Sequence, residues 1–74
     1  MKLDSTMLIN LLQAADQGAD ILVDDHSITI EWPETNEGYD AAFDTGYRLR
    51  CQYKKDRRYT FCNGTASLYI REEA

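Results

Sequence analysis

Apolar and polar side chains alternate through the C-terminal third of the chain. Tyr59, Phe61, Ala66, Leu68 and Ile70 fall to one side of an extended chain, and Thr60, Cys62, Ser67 and Tyr69 to the other. That is the period of half-buried strands. Cys62-Asn63-Gly64-Thr65 separates the two runs. Asn-Gly is the strongest short hairpin signal, because a type I′ turn needs positive φ at both central positions. The pattern therefore predicts Phe61 opposite Ala66 and Tyr59 opposite Leu68. Upstream, Tyr47, Leu49, Cys51 and Tyr53 alternate with Arg48, Arg50, Gln52 and Lys54. The same period predicts a further strand over 47–54, and Tyr47–Ile70 reads as a three-stranded antiparallel meander.

The N-terminal pattern is helical. Leu8, Leu11, Leu12 and Ala15 follow i, i+3, i+4, i+7 spacing and predict an amphipathic helix over 4–17. Met7 and Ala14 widen the stripe, while Asn10, Gln13 and Gln17 fall on the far side. Asp4 or Ser5 can cap its start, and Gly18 can close its end. Asp20–Trp32 then reads as a hairpin, with Ile21 and Val23 alternating before a turn at Asp24-Asp25 and Ile28, Ile30 and Trp32 after it. A tight turn there pairs Ile21 with Ile28. Pro33–Gly46 is the least regular segment: it reads either as a long connection pinned by Tyr39 and Phe43 or as a short helix with Glu37, Asp40 and Asp44 on one side and those rings on the other, Gly38 and Gly46 keeping any helix brief. Arg71–Ala74 reads as a fraying polar end. The expectation is an α+β fold in a single small domain, 1–74, with one N-terminal helix packed on an antiparallel sheet of about five strands. Leu8, Leu12, Ala15, Val23 and Cys51 belong to its expected inward set.

Composition adds bounds rather than detail. A chain of 74 residues buries only about 60% of its unfolded surface. No apolar run approaches the roughly 18 residues of a membrane span, and the N-terminus lacks a basic-then-apolar signal. The expectation is a cytoplasmic protein with no membrane association. Asn63-Gly64-Thr65 matches a glycosylation sequon but reads here as a turn. Two cysteines are too few for a disulfide scaffold. The register that keeps apolar faces together sets Cys51 and Cys62 on opposite faces as free thiols.

Charge changes the picture more. The net charge is −5, yet residues 1–46 hold ten acids against Lys2, and residues 47–74 hold seven bases against three acids. Such asymmetry points to a charged partner or to pairing between the halves. Catalytic signatures are missing: no nucleophile elbow, phosphate-binding glycine loop or metalloprotease helix occurs. His26, the single histidine, adjoins Asp24 and Asp25 but lacks the further ligands of a metal set. Neither an enzyme nor a cofactor is expected.

Two binding readings use opposite halves. Asp24, Asp25, Glu34, Glu37, Tyr39, Asp40 and Asp44 gather in the acidic half and suit a basic protein partner, through steering and phosphate-like charge spacing. Small acidic domains without catalytic residues include many inhibitors of nucleic-acid-handling machines, phage-encoded anti-defence proteins (anti-CRISPR-like) among them, an analogy of size and charge. The alternative places Arg48, Arg50, Lys54, Arg58 and Arg71 around Tyr69 on the outer sheet face as a nucleic-acid platform. A third option is a homodimer or larger homo-oligomer in which acidic and basic halves pair between copies.

Overall fold

The computed structural model describes residues 1–73. Two helices cover one face of a four-stranded antiparallel sheet, in the order α1 (Ser5–Asp16), β1 (Asp20–Val23), β2 (Ser27–Glu31), α2 (Asn36–Gln52), β3 (Tyr59–Asn63) and β4 (Ser67–Glu72). The strands lie β1-β2-β4-β3, so two hairpins join through β2 and β4. The α+β class holds. The expected five-stranded sheet with a C-terminal meander is corrected to four strands, and the lone N-terminal helix to two.

Helix α1 forms where its caps predict. The Asp4 carboxylate accepts the Met7 N–H at 2.8 Å, and Gly18 closes the helix at φ +83°, the one positive φ among the described residues. Its phase differs from expectation. Met7, Asn10, Leu11 and Ala14 are buried, whereas Leu8, Leu12 and Ala15 face solvent. Both stripes keep i, i+3, i+4, i+7 spacing and stand one residue apart, so period alone cannot choose between them. Asn10 helps decide, because two residues of α2 and one carbonyl of α1 partner its amide. Its Nδ2 donates to Gln52 Oε1 and to the Thr6 carbonyl at 2.8 Å each, and its Oδ1 accepts from Arg48 Nε at 2.8 Å. A buried amide so paired avoids the desolvation penalty of an unpartnered one.

Over 33–46 the chain takes the helical alternative, but helix α2 is not brief: it runs on through 47–52 and replaces the expected strand over 47–54. Thr35 caps it, accepting the Gly38 N–H at 3.1 Å, and Glu37 lies in the favourable first turn. Ala42, Thr45, Gly46, Leu49 and Tyr53 recur at i, i+3, i+4, i+7 and i+11, and all five are buried. This helical stripe runs through the Tyr47–Tyr53 alternation and wins over it. Cys51, expected inward, is exposed on α2. The two glycines are sites of close approach. A Cβ at Gly38 would run into the Pro33 carbonyl oxygen, and one at Gly46 into the Asn63 amide.

Both hairpins have wider turns than expected. Phe61 pairs with Ile70 and Tyr59 with Glu72, four residues along from the expected register. An even displacement preserves the faces. Neither Asn63 nor Gly64 has positive φ, so the turn is not type I′. Asn63 belongs to β3, and Gly64 N–H bonds Ser67 O at 2.9 Å. In the first hairpin Ile21 pairs with Ile30 and Val23 with Ile28, a displacement of two, and Asp24 N–H bonds Ser27 O at 2.8 Å. Val23, expected inside, is 45% exposed at the end of its strand. Arg71 and Glu72 lie in β4 rather than in a frayed end, and Ala74 lies outside the described residues.

The core sits between helices and sheet. Ile28, Ile30, Leu68 and Ile70 are fully buried on the two central strands, where each side chain contributes on the order of 1.5–3 kcal/mol. Trp32 extends the core towards α1, donating from Nε1 to Gln17 Oε1 at 2.9 Å. No helix is long and apolar enough to cross a membrane among the described residues.

Candidate partner-binding surface

Both helices expose large apolar side chains. On α1 these are Leu8 (44%), Ile9 (56%) and Leu12 (69%), and on α2 Phe43 (68%) and Tyr47 (65%). The phase of α1 causes the first group, since the richer leucine stripe is turned out and the stripe with Asn10 and Ala14 turned in. On α2 the one-turn spacing Tyr39, Phe43, Tyr47 leaves the core stripe and runs along the outer surface. Glu37, Asp40 and Asp44 are exposed on the same helix. None of these carboxylates is in a salt bridge. Among the described residues the ion pairs are Arg58–Asp56 and a 3.9 Å contact of His26 with Glu72. Within one chain, then, the acidic and basic halves do not neutralise one another by direct pairing.

The acidic residues singled out from sequence divide into two groups. Glu37, Tyr39, Asp40 and Asp44 stand on α2, and Glu34 lies just before it. Asp24 and Asp25 occupy the β1–β2 turn. Helix α2 packs over β3 and β4, and α1 over β1, so the two groups belong to different parts of the fold.

The basic set does not assemble on the sheet, because 47–54 is not a strand. Arg48 is bound to Asn10. Arg50 donates from Nη1 to Asn63 Oδ1 at 2.7 Å and from Nη2 to the Phe61 carbonyl at 2.8 Å. Arg58 chelates Asp56, and its guanidinium carbon lies 5.2 Å from the Tyr59 ring centroid. Tyr69 and Arg71 alone lie on the open face of β4. Lys54 lines a depression of about 440 Å³ with Arg50, Tyr53, Asp56, Arg57, Tyr59 and Phe61. Its tyrosine rings pack on each other, Tyr53 meeting Tyr59 edge-on at 5.0 Å. Both are over nine-tenths buried, which leaves little ring face for a stacked base.

Titration behaviour follows from these contacts. Burial, and donation to Asp4, push the Tyr53 hydroxyl well above its ordinary range. Burial also raises Tyr59. Asp4 is held below the usual carboxylate range by the Tyr53 hydroxyl and the Met7 amide. The Arg58 fork lowers Asp56. These groups tie α1 to the loop between α2 and β3 and have structural partners. Cys51 and Cys62 are exposed free thiols, held on different elements rather than on opposite faces of one sheet. No cluster of three or more metal-ligating side chains occurs among the described residues. What the surface offers chemically is apolar area bordered by unpaired negative charge.

Sequence reasoning found the acidic residues of α2 but missed the apolar partners beside them. A usable signal was present. Met7, Leu8, Ile9, Leu11 and Leu12 are more large apolar side chains than one buried stripe of a short helix can take in. Compared with known proteins, the chain matches no family model, no curated protein and no solved structure.

Proposed function

We propose that the protein is a non-catalytic binding module that presents the outer face of its helical layer to a basic protein. The supporting observation is the exposure of Phe43 and Tyr47, about two-thirds each, on a helix whose Glu37, Asp40 and Asp44 are in no ion pair among the described residues. Exposed aromatic rings are anchors of protein interfaces, where they fill pockets and lose water. Unpaired carboxylates around them steer the approach to a basic groove and fix its orientation. Leu8, Ile9 and Leu12 form a separate exposed apolar group on α1.

In its finer form the reading is of an inhibitor. An acidic, ring-bearing helix that occupies the basic groove of a nucleic-acid-handling protein competes with phosphate for the same cations, as the phage anti-defence analogy suggests. Such a protein works in the cytoplasm, with Cys51 and Cys62 kept as thiols.

The test is quantitative capture of the partner from the native cell, identified by mass and then titrated as a purified protein. Reversing Glu37, Asp40 and Asp44 to lysine, or changing Phe43 and Tyr47 to alanine, should abolish binding. Reversing the exposed Lys54, Arg57 and Arg71 to glutamate should leave it nearly intact. The opposite pattern, with nucleic acid bound and a steep salt dependence, overturns the reading in favour of the basic side. Self-association lost on either reversal would favour pairing between copies.

A further inference from the structure

The sheet has two outer edges, β1 and β3, and they are finished differently. In each hairpin the pair beside the turn is hydrogen-bonded, Asp24 to Ser27 and Gly64 to Ser67. Antiparallel ladders alternate, so Leu22 and Cys62 direct their backbone groups into the sheet. Ile21, Val23 and Phe61 direct theirs outward. On β3 helix α2 occupies part of that edge: Arg50 bonds the outward Phe61 carbonyl and the Asn63 side chain, and Asn63 Nδ2 donates to the Ala42 carbonyl at 3.0 Å. On β1 no side chain or loop among the described residues bonds the outward groups of Ile21 and Val23. Leu22 is 63% exposed and Val23 45%. An unpaired edge bearing apolar, β-branched side chains is a template for another strand.

We propose that the outer edge of β1 is a strand-addition site for an extended basic segment of a partner protein. The charge around the edge selects this occupant. Asp20 and Asp24 bracket Leu22, Asp25 follows in the turn, and Glu31 stands directly opposite Asp20 in β2. Like charges in facing positions destabilise a sheet, and a cation laid beside them relieves the repulsion. The same edge of a second copy does not supply it. Antiparallel pairing of β1 with itself, Ile21 bonding Val23, would set each Asp20 against the other copy's Asp24. A segment with Lys or Arg four residues apart answers both acids, with apolar residues between them opposite Ile21 and Val23. Main-chain bonds supply affinity and the alternating side chains supply selectivity. This edge is separate from the α2 surface, and its binding stands whether or not that surface has a partner.

The probe is a capped peptide, Ser-Lys-Val-Thr-Val-Lys-Ser, with a counterpart carrying Glu at both Lys positions. Amide exchange of the full chain is followed residue by residue by NMR. At about ten times its dissociation constant the basic peptide should slow exchange at Ile21 and Val23 by about tenfold, leaving Phe61 and Asn63 unchanged. The acidic peptide should do nothing. Val23→Pro removes an outward N–H at an edge position where proline is tolerated and should abolish protection at Ile21. Should that variant fail to fold, Val23→Lys keeps the backbone and should weaken the basic peptide by charge. Reversal of Glu37, Asp40 and Asp44 should leave the peptide effect intact, which separates this site from the proposed function. Four results overturn the proposal: equal protection by the acidic peptide, protection at β3 instead, no protection up to the peptide's solubility limit, or protection at Ile21 and Val23 that rises with protein concentration alone.

Discussion

The two αββ halves of the molecule share a plan and differ in how they are finished. Each is a helix followed by a hairpin, and each hairpin turn is closed by an N–H to carbonyl bond across four residues, Asp24–Ser27 and Gly64–Ser67. The halves meet through β2 and β4 around Thr29 opposite Tyr69, with Ile28 facing Ile70 and Ile30 facing Leu68. Around this nearly two-fold centre the helices dock by different chemistry. Helix α1 carries a buried amide, Asn10, whose partners lie partly on α2. Helix α2 uses the missing side chains of Gly38 and Gly46 to approach the Pro33 carbonyl and the Asn63 amide. The second half thereby covers part of its sheet edge, and the first leaves its edge and its leucines open. A symmetric core does not require a symmetric surface: the open edge and the exposed leucines belong to the first half, while the exposed rings of Phe43 and Tyr47 belong to the second.

That contrast can be broken at its tightest points. Gly38→Ala should have the largest effect, about 3 kcal/mol of destabilisation, since the added methyl meets backbone that cannot rotate away. Denaturant unfolding measures it, and a wild-type midpoint would mean α2 does not begin so close to Pro33. Gly46→Ala should cost about 2 kcal/mol, because the Asn63 amide is tethered at both ends but remains a side chain. In an Asn63→Ala background the same glycine change should cost markedly less. The matching position in the first half, Val23, is exposed, and Val23→Ala should move stability by no more than about 0.5 kcal/mol. Equal coupling in both halves would dissolve the distinction.

Asn10→Ala tests the other mode of docking. It leaves Gln52 and Arg48 without their shared partner. Both heads are long enough to find water, so a loss of about 1.5 kcal/mol is expected rather than the full penalty of a sealed site. A stabilised variant would show that the amide serves orientation of the helices and not their affinity.

These features also explain what could be read from sequence and what could not. Strand faces were legible, because Tyr59, Phe61, Leu68 and Ile70 alternate whatever the turn length. Helix ends were legible for α1 through Asp4 and Gly18. Registers were not, since Asn63-Gly64 carries a turn signal that tertiary contact overrides: Asn63 bonds Ala42 and Arg50 and is drawn into β3. Helix α2 was hidden for a related reason. Its glycines read as breakers until Pro33 and Asn63 are seen against them, and Tyr47–Tyr53 satisfies periods of 2 and 3.6 at once. The acidic residues of the candidate surface were visible individually. Their separation into the α2 group and the β1 turn depends on which strand each helix covers, and no local pattern encodes that.

The smallest effect expected is a pH dependence that links the start of α1 to the loop after α2. Asp4 accepts from the Tyr53 hydroxyl and the Met7 amide, and both bonds favour its ionised form, so its folded-state pKa lies below the ordinary 3.8. A depressed carboxylate contributes stability that is complete above its unfolded value and disappears as pH falls through the folded one. The contribution is small because Asp4 is solvent-exposed and screened. Tyr53 works in the other direction. Its folded pKa lies above the ordinary 10.0, so its contribution is complete below about pH 10 and declines as pH rises towards the folded value. Asp4→Asn keeps a good helix cap and removes the charge, so its deficit relative to wild type should shrink below about pH 4. Tyr53→Phe should diminish the alkaline decline, leaving the part due to Tyr59, and also diminish the acidic one, since Asp4 then loses its main donor. Unfolding midpoints measured across the acid and alkaline ranges decide both. An acid limb in Tyr53→Phe as steep as in wild type would mean that the Met7 amide alone holds Asp4 ionised and that the tie between the two regions is sterically, not electrostatically, maintained.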